Sequence, residues 1–267
     1  MPAKPLKLLF FGDVIGKLGR RAVAQIVPQW KSQYQPDVIL ANVENLAHGK
    51  GVTVKTLTEL KEAGVQIFTG GNHIFSKDDP TTDEYADNFT LALPANVVRT
   101  PANFRYHKIT VADKELVVIN LLGQFQIESD GSTNPFLEFD KLYDELSKPK
   151  LMLVDFHAEA TSEKVAFGLY CDGRASAVVG SHTHIPTNDA RILPQGTGYI
   201  SDMGMVGGQN TVLGVTASII INRFKGETAA FDWPETGEAI ICGVYLELDP
   251  ETGHCLQITP LQATITV

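Results

Sequence analysis

The sequence predicts an α/β fold in one domain that spans residues 1–267. The first observation behind this prediction is that short apolar runs alternate with segments of helical spacing from Leu8 to Thr69. The second is composition: 43% of residues are hydrophobic and 20% are charged, which is typical of a soluble globular protein with a sizeable core. Alternation of strands and helices predicts a parallel sheet, so the class is α/β.

The first part of the chain is predicted to form three strands joined by two helices. Val23, Ile26, Val27 and Trp30 have helical spacing, and Gly64 is a plausible helix C-cap. The order strand–helix–strand–helix–strand predicts right-handed parallel crossovers. The predicted strands are 8–11, 37–42 and 65–69, and the predicted helices are 20–31 and 54–63.

The later part of the chain mixes further α/β units with antiparallel hairpins. A polar turn at 111–114 predicts a hairpin of strands 104–110 and 116–122, and a turn at 249–253 predicts a second hairpin of 240–248 and 255–261. After Gly204 the pattern is hairpin-like, with a polar loop at 224–239. Between the hairpins we predict helices at 135–146 and 162–169 and strands at 151–156 and 176–179.

Charge and composition argue against several classes of protein. The net charge of −9 repels a phosphate backbone, so we expect no general nucleic-acid binding, although metal ions can reverse the sign locally for a small phosphate substrate. The start, Met1-Pro2-Ala3-Lys4-Pro5, is too short and polar for a signal peptide, and no apolar run approaches the roughly 18 residues that cross a membrane. Three cysteines without a CxxC pair are typical of a reducing compartment, and we expect a cytoplasmic protein without a membrane partner.

Five predicted strands end in side chains that bind metals. Because sites in α/β folds form beyond the carboxyl ends of strands, we expect these side chains to converge on one edge of the sheet. His182 and His184 would present two imidazoles on the same side of an extended chain. The segments are Gly12-Asp13, Asn42-Val43-Glu44-Asn45, Gly71-Asn72-His73, Asp155-Phe156-His157 and His182-Thr183-His184.

The residue types in these segments suit a pair of transition-metal ions. Asp, Glu, Asn and His without cysteine favour Mn, Fe or Zn over a thiolate-preferring metal. Two divalent ions outweigh the charges of Asp13 and Glu44 even with a bridging hydroxide, so the site would attract a phosphate. Each residue alone has a simpler explanation: Asp13 as a helix N-cap, Glu44, Asn45 and Asn72 as loop residues, and the histidines as hydrogen-bonded core or loop residues.

Rival motifs do not fit the sequence. The segment Gly12-Asp13-Val14-Ile15-Gly16-Lys17-Leu18-Gly19 has neither the spacing of a phosphate-binding P-loop nor that of a dinucleotide-binding GxGxxG turn. The chain also has no GxSxG nucleophile elbow. The metal hypothesis therefore has no competing motif of comparable strength.

The order of these motifs resembles the calcineurin-like metallophosphoesterases, and more closely their bacterial YmdB-like branch. The matching strings are Phe11-Gly12-Asp13-Val14-Ile15-Gly16, Asn42-Val43-Glu44-Asn45, Gly71-Asn72-His73, Val154-Asp155-Phe156-His157-Ala158-Glu159-Ala160-Thr161-Ser162-Glu163-Lys164 and Gly180-Ser181-His182-Thr183-His184. The resemblance extends from about residue 8 to the final hairpin, and the FHAEATSEK string is its most specific part.

The resemblance implies a four-layer αββα sandwich with mixed sheets and a dinuclear metal centre. It assigns one set of ligands to each ion, with Glu44 bridging. The superfamily usually has D-x-H at its first motif; here Ile15 stands in the histidine position, and Asn45 would fill the vacancy. One ion would be held by Asp13, Glu44, Asn45 and His184, and the other by Glu44, Asn72, His157 and His182.

The resemblance also implies a catalytic role for His73, which follows the ligand Asn72 and would protonate the leaving alkoxide as a general acid. Its alternative role is only to line the pocket. The chain departs from the branch at His48-Gly49, at Ile74-Phe75 and in the glycine turn 202–208. These departures lie around the pocket and outside the ligand set, so they concern substrate preference more than metal binding.

The resemblance implies a dinuclear-metal phosphodiesterase that hydrolyses small phosphodiesters, 2′,3′- or 3′,5′-cyclic nucleotides above all, by in-line attack of the bridging hydroxide. The expected cofactors are two divalent or mixed-valence ions, Fe or Mn first and Zn as the alternative. The other functions left open are a phosphomonoesterase such as a nucleotidase, and a regulatory protein that binds metal or nucleotide with little turnover. The terminal hairpin could offer an edge strand to a partner, so a homo-oligomer is also expected.

Overall fold

The computed structural model describes residues 4–111, 113–128 and 131–267. In this part of the chain the helices are α1 (Gly16–Tyr34), α2 (Val54–Glu62), α3 (Asp83–Asn88), α4 (Pro135–Glu145), α5 (Thr161–Cys171) and α6 (Ala217–Phe224). The strands are β1 (Leu6–Val14), β2 (Val38–Asn42), β3 (Ile67–Thr69), β4 (Thr90–Ala92), β5 (Tyr106–Val111), β6 (Lys114–Leu122), β7 (Leu151–His157), β8 (Ala177–Ser181), β9 (Arg191–Ile192), β10 (Gly198–Ile200), β11 (Met205–Gly208), β12 (Thr211–Val212), β13 (Val215–Thr216), β14 (Glu238–Leu248) and β15 (Cys255–Thr266).

These strands form two large mixed sheets and one small hairpin. The first sheet has seven strands in the order β15-β14-β11-β1-β2-β3-β4. Strands β1 to β4 run parallel, and β14 and β15 add an antiparallel pair. The second sheet has six strands in the order β5-β6-β7-β8-β10-β9, with β6, β7, β8 and β10 parallel. Strands β12 and β13 pair only with each other.

The alternation of side chains along β1 explains how the layers stack. Successive residues of a strand point to opposite faces of the sheet. Leu8 and Phe10 belong to a core shared with β6, β7 and β8, so this core lies between the two sheets. Leu9 and Phe11 point the other way and pack with α1 and α2. Because both faces of β1 are covered, the strand is almost continuously apolar.

The second sheet is covered on its outer face in the same way. Phe139 and Leu142 of α4 and Phe167 of α5 form a core with the outward-facing residues of β6 and β7. The layers are therefore helix, sheet, sheet and helix. The predicted four-layer αββα sandwich with mixed sheets is confirmed, as are the parallel crossovers from β1 to β3 and both predicted hairpins.

Some features differ from the sequence-based predictions. Helices α3 and α6 were not predicted; Ile219-Ile220-Ile221 in α6 is a run of β-branched residues, which is more typical of strands, and no residue of α6 is buried. Position 112 of the predicted turn and positions 1–3 of the N-terminal segment lie outside the described residues. Within the described part of the chain, no helix is both long enough and apolar enough to span a membrane.

The strand ends that carry the candidate ligands belong to two sheets, whereas the strand pattern alone predicted the edge of one sheet. Strands β1, β2 and β3 come from the seven-stranded sheet, and β7 and β8 from the six-stranded sheet. Their carboxyl ends meet on the same side of the sandwich, because Asp13 at the end of β1 accepts a hydrogen bond from the backbone of His182, just after β8. The candidate ligands therefore lie close together even though they come from two sheets.

Candidate metal centre

Each candidate residue lies at the carboxyl end of a strand or in the segment that follows the strand. Asp13 is the penultimate residue of β1, and His157 is the last residue of β7. Glu44 and Asn45 lie in the turn after β2, and Asn72 and His73 lie in the turn after β3. His182 and His184 follow β8. Asp13 does not cap α1, because that helix has Ile15 as its N-cap and no side-chain capping bond. The N-cap explanation for Asp13 is thus excluded.

Gly71 leaves the space in which the candidate ligands meet. A Cβ atom at this position would overlap the carboxylate of Glu44 and the imidazole of His157. A residue with a side chain could stand here only if those two ligands moved. The glycine of the GNH motif therefore belongs to the geometry of the site, even though it has no side chain to offer.

The two histidines of the GSHTH motif have unusual backbone conformations. The φ angle is 98° for His182 and 66° for His184, a region that residues with a Cβ atom rarely adopt. The backbone N–H groups of this turn donate to buried carboxylates: His182 to Asp13 at 3.1 Å, and Thr183 to Asp202 at 3.0 Å. Strain of this kind clusters at functional sites, where the surroundings hold it in place.

Three ligand atoms surround Nε2 of the fully buried His157. Its distances are 3.2 Å to Glu44 Oε1, 3.2 Å to Asn72 Oδ1 and 3.1 Å to His182 Nδ1. A single imidazole nitrogen cannot make good hydrogen bonds to all three. Ligands about 2.0–2.1 Å from a shared ion lie about 3.0–3.4 Å from one another. The spacing is thus the one that a common metal ion produces.

The second nitrogen of each histidine has its own partner. His184 Nδ1 lies 3.2 Å from the carbonyl oxygen of Leu213, His182 Nε2 lies 3.0 Å from Glu159 Oε2, and His157 Nδ1 lies 2.9 Å from Ser181 Oγ. A carbonyl or a carboxylate only accepts hydrogen bonds, so His184 and His182 carry their proton on these outer nitrogens. Their inner nitrogens remain free to bind a cation, which is the usual arrangement of metal-binding histidines.

The carboxylate of Asp13 marks a second position for an ion. Its Oδ1 atom is buried and, in the described part of the chain, has no hydrogen-bond partner. It lies 3.8 Å from His184 Nε2 and 3.9 Å from His157 Nδ1. Burying an anionic oxygen without a partner is costly, and a cation between Asp13 and His184 would remove that cost. Both this oxygen and the space beside Gly71 fit a metal centre.

Asn45 requires one adjustment to act as a ligand. Its amide nitrogen donates to Glu44 Oε1 at 3.1 Å and lies 3.3 Å from His184 Nε2. A cation would need the carbonyl oxygen on this side instead. A rotation of the amide by 180° exchanges the two atoms, and the two orientations occupy the same volume.

Burial and mutual charge shift the pKa values of the cluster. Burial raises the pKa of Asp13 to about 6, although His184 and His157 oppose the shift. Burial also acts to raise the pKa of Glu44, but the charge of His157 outweighs it and the pKa is lowered. For His157 burial acts downwards, while Glu44 raises the pKa to about 9. The proton on His157 supplies the positive charge that a metal ion would bring, so metal binding must displace it.

Several residues support this cluster in a role that the sequence did not predict. Ser181 donates to Asp155 at 2.6 Å, and Asp155 also accepts from Thr69 and Asn42, so four strands are joined behind His157. Lys164 of α5 donates to Asp202 at 2.6 Å and to the carbonyl of Ser181. Lys164 is the last residue of the FHAEATSEK string and Asp155 directly precedes it, so this string was a signal that could have marked them.

His73 lies beside the cluster and is partly exposed. Its backbone N–H donates to Glu44 Oε2 at 2.8 Å, and burial lowers the pKa of its ring. A cleft of about 280 Å³ opens above the candidate ligands, and His73 lines it. Trp233 and the exposed Lys50 also line this cleft, and neither was identified from the sequence. The structure therefore places a histidine, a cation and an aromatic ring around the candidate metal centre.

Two large sheets packed between helices, with the site at the strand ends, define a fold of the calcineurin-like phosphoesterase type. The crystal structure of the calcineurin-like phosphoesterase YfkN from Bacillus subtilis has this fold, with a TM-score of 0.57 at 10% identity, covering 99% of this chain and 91% of that one. At this identity the likeness concerns the fold alone.

Closer relatives identify the family. The family model described as YmdB-like protein matches residues 9–261, and the chain belongs to this family. The 2′,3′-cyclic-nucleotide 2′-phosphodiesterase of Bacillus subtilis is 41% identical over 95% of each chain. A crystal structure described as a novel phosphatase from Mycoplasma pneumoniae is 34% identical, with a TM-score of 0.91 and coverage of 99% and 95%. These findings confirm the family, the fold class and the phosphoesterase class that the sequence predicted.

Proposed function

We propose that the protein is a dinuclear-metal phosphodiesterase that hydrolyses small phosphodiesters, in particular 2′,3′- or 3′,5′-cyclic nucleotides. One observation carries this proposal: His157 Nε2 lies 3.1–3.2 Å from Glu44 Oε1, Asn72 Oδ1 and His182 Nδ1. The outer nitrogens of His182 and His184 are meanwhile held by acceptors. The Bacillus subtilis relative, a 2′,3′-cyclic-nucleotide 2′-phosphodiesterase, supports the choice of substrate.

In this proposal Glu44 is shared between two ions. Asp13, Asn45 and His184 complete one set of ligands, and Asn72, His157 and His182 complete the other. When bound, divalent ions supply charge stabilisation at the phosphoryl oxygens and lower the pKa of water. The set contains only nitrogen and oxygen ligands, so we propose Fe or Mn, with Zn as the alternative.

The proposed role of His73 is to give a proton to the leaving oxygen. Its backbone N–H donates to Glu44, which holds the main chain of His73 beside the candidate ligands. Lys50 at the rim of the same cleft would attract the negative charge of the phosphodiester. The general-acid role and the simpler pocket-lining role differ in their effect on substrates with poor leaving groups.

The test begins with metal analysis of the purified protein, followed by activity on a panel of cyclic nucleotides with the metal found. We expect His73→Ala to keep its metal yet lose about 10²–10⁴-fold in turnover of a cyclic nucleotide, whose leaving group is poor. A p-nitrophenyl phosphodiester, with a good leaving group, should be affected much less. Equal loss on both substrates would remove the general-acid role.

The ligand assignment has a separate test. Asp13→Asn and His157→Ala should lower the metal content, and variants with full occupancy would contradict the assignment. Nucleotide binding without product in metal-loaded wild type would instead indicate a regulatory binding protein. The Mycoplasma pneumoniae relative is described as a phosphatase, which favours phosphomonoesters as a second candidate substrate class. Adding nucleoside monophosphates to the panel separates the two classes.

We further propose that residues 1–267 work as one domain in the cytoplasm. Three free buried cysteines, Cys171, Cys242 and Cys255, support a reducing compartment. Strand β15 forms an outer edge of the seven-stranded sheet, which supports a homo-oligomer paired along that edge. A monomeric mass in light scattering would contradict the oligomer, and extraction with membranes would contradict the location.

A further inference from the structure

His73 stands between two clefts, not at the side of one. The first cleft is lined by the candidate ligands Glu44 and His184 and by Trp233. The second is lined by Asn72, Phe75 and Arg99. Each has a volume of about 280 Å³, and His73 lines both. A substrate centred beside His73 therefore has room on two sides.

The first cleft offers an aromatic face and a cation. The Trp233 ring packs directly against Gly49, where any Cβ atom would overlap the indole. The absence of a side chain at Gly49 thus makes room for the ring. Phe231 stands edge-on to Trp233 with the ring centres 6.0 Å apart, and both line the cleft. Lys50 is exposed at the same rim. A flat base and a phosphate are the groups that such a wall and such a cation bind.

The second cleft repeats this combination with different residues. The Arg99 guanidinium stacks 4.4 Å from the centre of the Phe75 ring, which extends the planar surface. Hydrogen bonds from Thr81 lower the pKa of Asp79, and the charge of Arg99 also contributes to this lowering. Ser76 and Glu128 also line this cleft, and they offer a hydroxyl and a carboxylate for the polar edges of a ribose or a base. The carboxylate disfavours a second phosphate there, so a nucleoside fits better.

We propose that the site accepts a phosphodiester with two nucleoside arms, such as a linear dinucleotide, with one arm in each cleft. This inference rests on the proposed phosphodiesterase function and extends it, because a cyclic mononucleotide has one base and fills only one cleft. The oxygen of a water molecule bonds to phosphorus, the bond from phosphorus to the ribose oxygen of one arm breaks, and that oxygen takes a proton. The products are a nucleoside and a nucleoside monophosphate.

The experiment compares diadenosine linked 3′,5′ by one phosphate with 2′,3′-cyclic AMP, using the metal-loaded protein. The readout is the ratio of kcat/KM for the dinucleotide to kcat/KM for the cyclic nucleotide. Arg99→Ala and Phe75→Leu should lower this ratio about 10- to 100-fold, mainly through KM, because a stacked base is lost. Arg99→Lys should lower it less, since it keeps the charge but not the stacking plane.

Phe224→Ala is the matched control, because Phe224 is 88% exposed and lines neither cleft; it should leave the ratio unchanged. A second readout needs no turnover. The chain has two tryptophans, and Trp30 is buried, so quenching of fluorescence by the dinucleotide in metal-free protein reports on Trp233. Trp233→Phe should abolish that quenching.

Cleavage of cyclic AMP without cleavage of the dinucleotide would overturn this inference and leave the phosphodiesterase proposal standing. A ratio that stays unchanged in both Arg99→Ala and Phe75→Leu would also overturn it. If neither substrate is cleaved, the proposed function fails, and the inference fails with it.

Discussion

Among single residues, Lys164 shows how a buried charge supports the site from behind. Its ammonium group and the Asp202 carboxylate are both almost fully buried, with Nζ and Oδ2 2.6 Å apart. Asp202 in turn accepts from the backbone of Thr183, between the two candidate histidine ligands, and from Gly204. The pair thus connects α5 to the strained turn that carries His182 and His184.

Replacing Lys164 by Met should lower the free energy of unfolding by about 3–5 kcal/mol, because it leaves the Asp202 carboxylate buried without its partner. Denaturant unfolding measured by circular dichroism provides the value. Lys141→Met, on the exposed side of α4, is the control and should change stability by no more than about 0.5 kcal/mol. A loss of similar size in both variants would show that the buried pair has no special role.

Among the elements, α1 is the longest helix of the described chain, and it contains a proline. Pro28 lies well inside Gly16–Tyr34, so the carbonyl of Ala24 lacks its usual backbone donor. The buried stripe of this helix, including Val23, Val27 and Trp30, still packs on the seven-stranded sheet. Packing against the sheet therefore outweighs the local preference of proline.

Pro28→Ala should stabilise the protein by about 1–3 kcal/mol, because it restores the backbone donor and improves helix propensity at an exposed position. The neighbouring exposed residue supplies the control, since Gln29→Ala changes no backbone donor and should have little effect. Chemical denaturation compares the two. A destabilised Pro28→Ala variant would mean that the bend made by proline is required for packing.

For the whole molecule, the candidate ligands that face one another at the site come from both large sheets. Asp13 and Glu44 come from the seven-stranded sheet, and His157 and His182 from the six-stranded one. An ion held by both groups would connect the two halves of the sandwich. A ligand that binds only the folded state stabilises it by mass action.

Loading metal-free protein with Mn²⁺ at about 1,000 times its dissociation constant should stabilise it by about 4 kcal/mol, which corresponds to a rise in Tm of about 10 °C. Calorimetry with and without a chelator measures the shift. Asp13→Asn should show a smaller shift, because it removes one charged ligand. If wild type melts at the same temperature in both conditions, the metal does not join the two sheets.

The local patterns that predicted the fold were those that depend on neighbouring residues. Apolar runs such as 151–156 and helical spacing such as that of Val23, Ile26 and Trp30 reflect burial, which is regular along an element. The prediction failed at α6, because Ile219-Ile220-Ile221 favours a strand locally and no buried face marks the helix. The strand pattern also failed to show that two sheets share the site. The order of strands along the chain does not determine which strands are neighbours in a sheet.

By itself, the sequence determined which residue types stand at the strand ends, and hence a metal chemistry of nitrogen and oxygen ligands and membership in a phosphoesterase family. Only the tertiary structure decided how these atoms meet, which nitrogen of each histidine faces inward, and that Arg99 and Trp233 stand on either side of His73. The physical reason is that hydrogen-bond partners such as Leu213 and Glu159, and the walls of a cleft, come from segments distant in the chain. Their positions depend on how the two sheets pack.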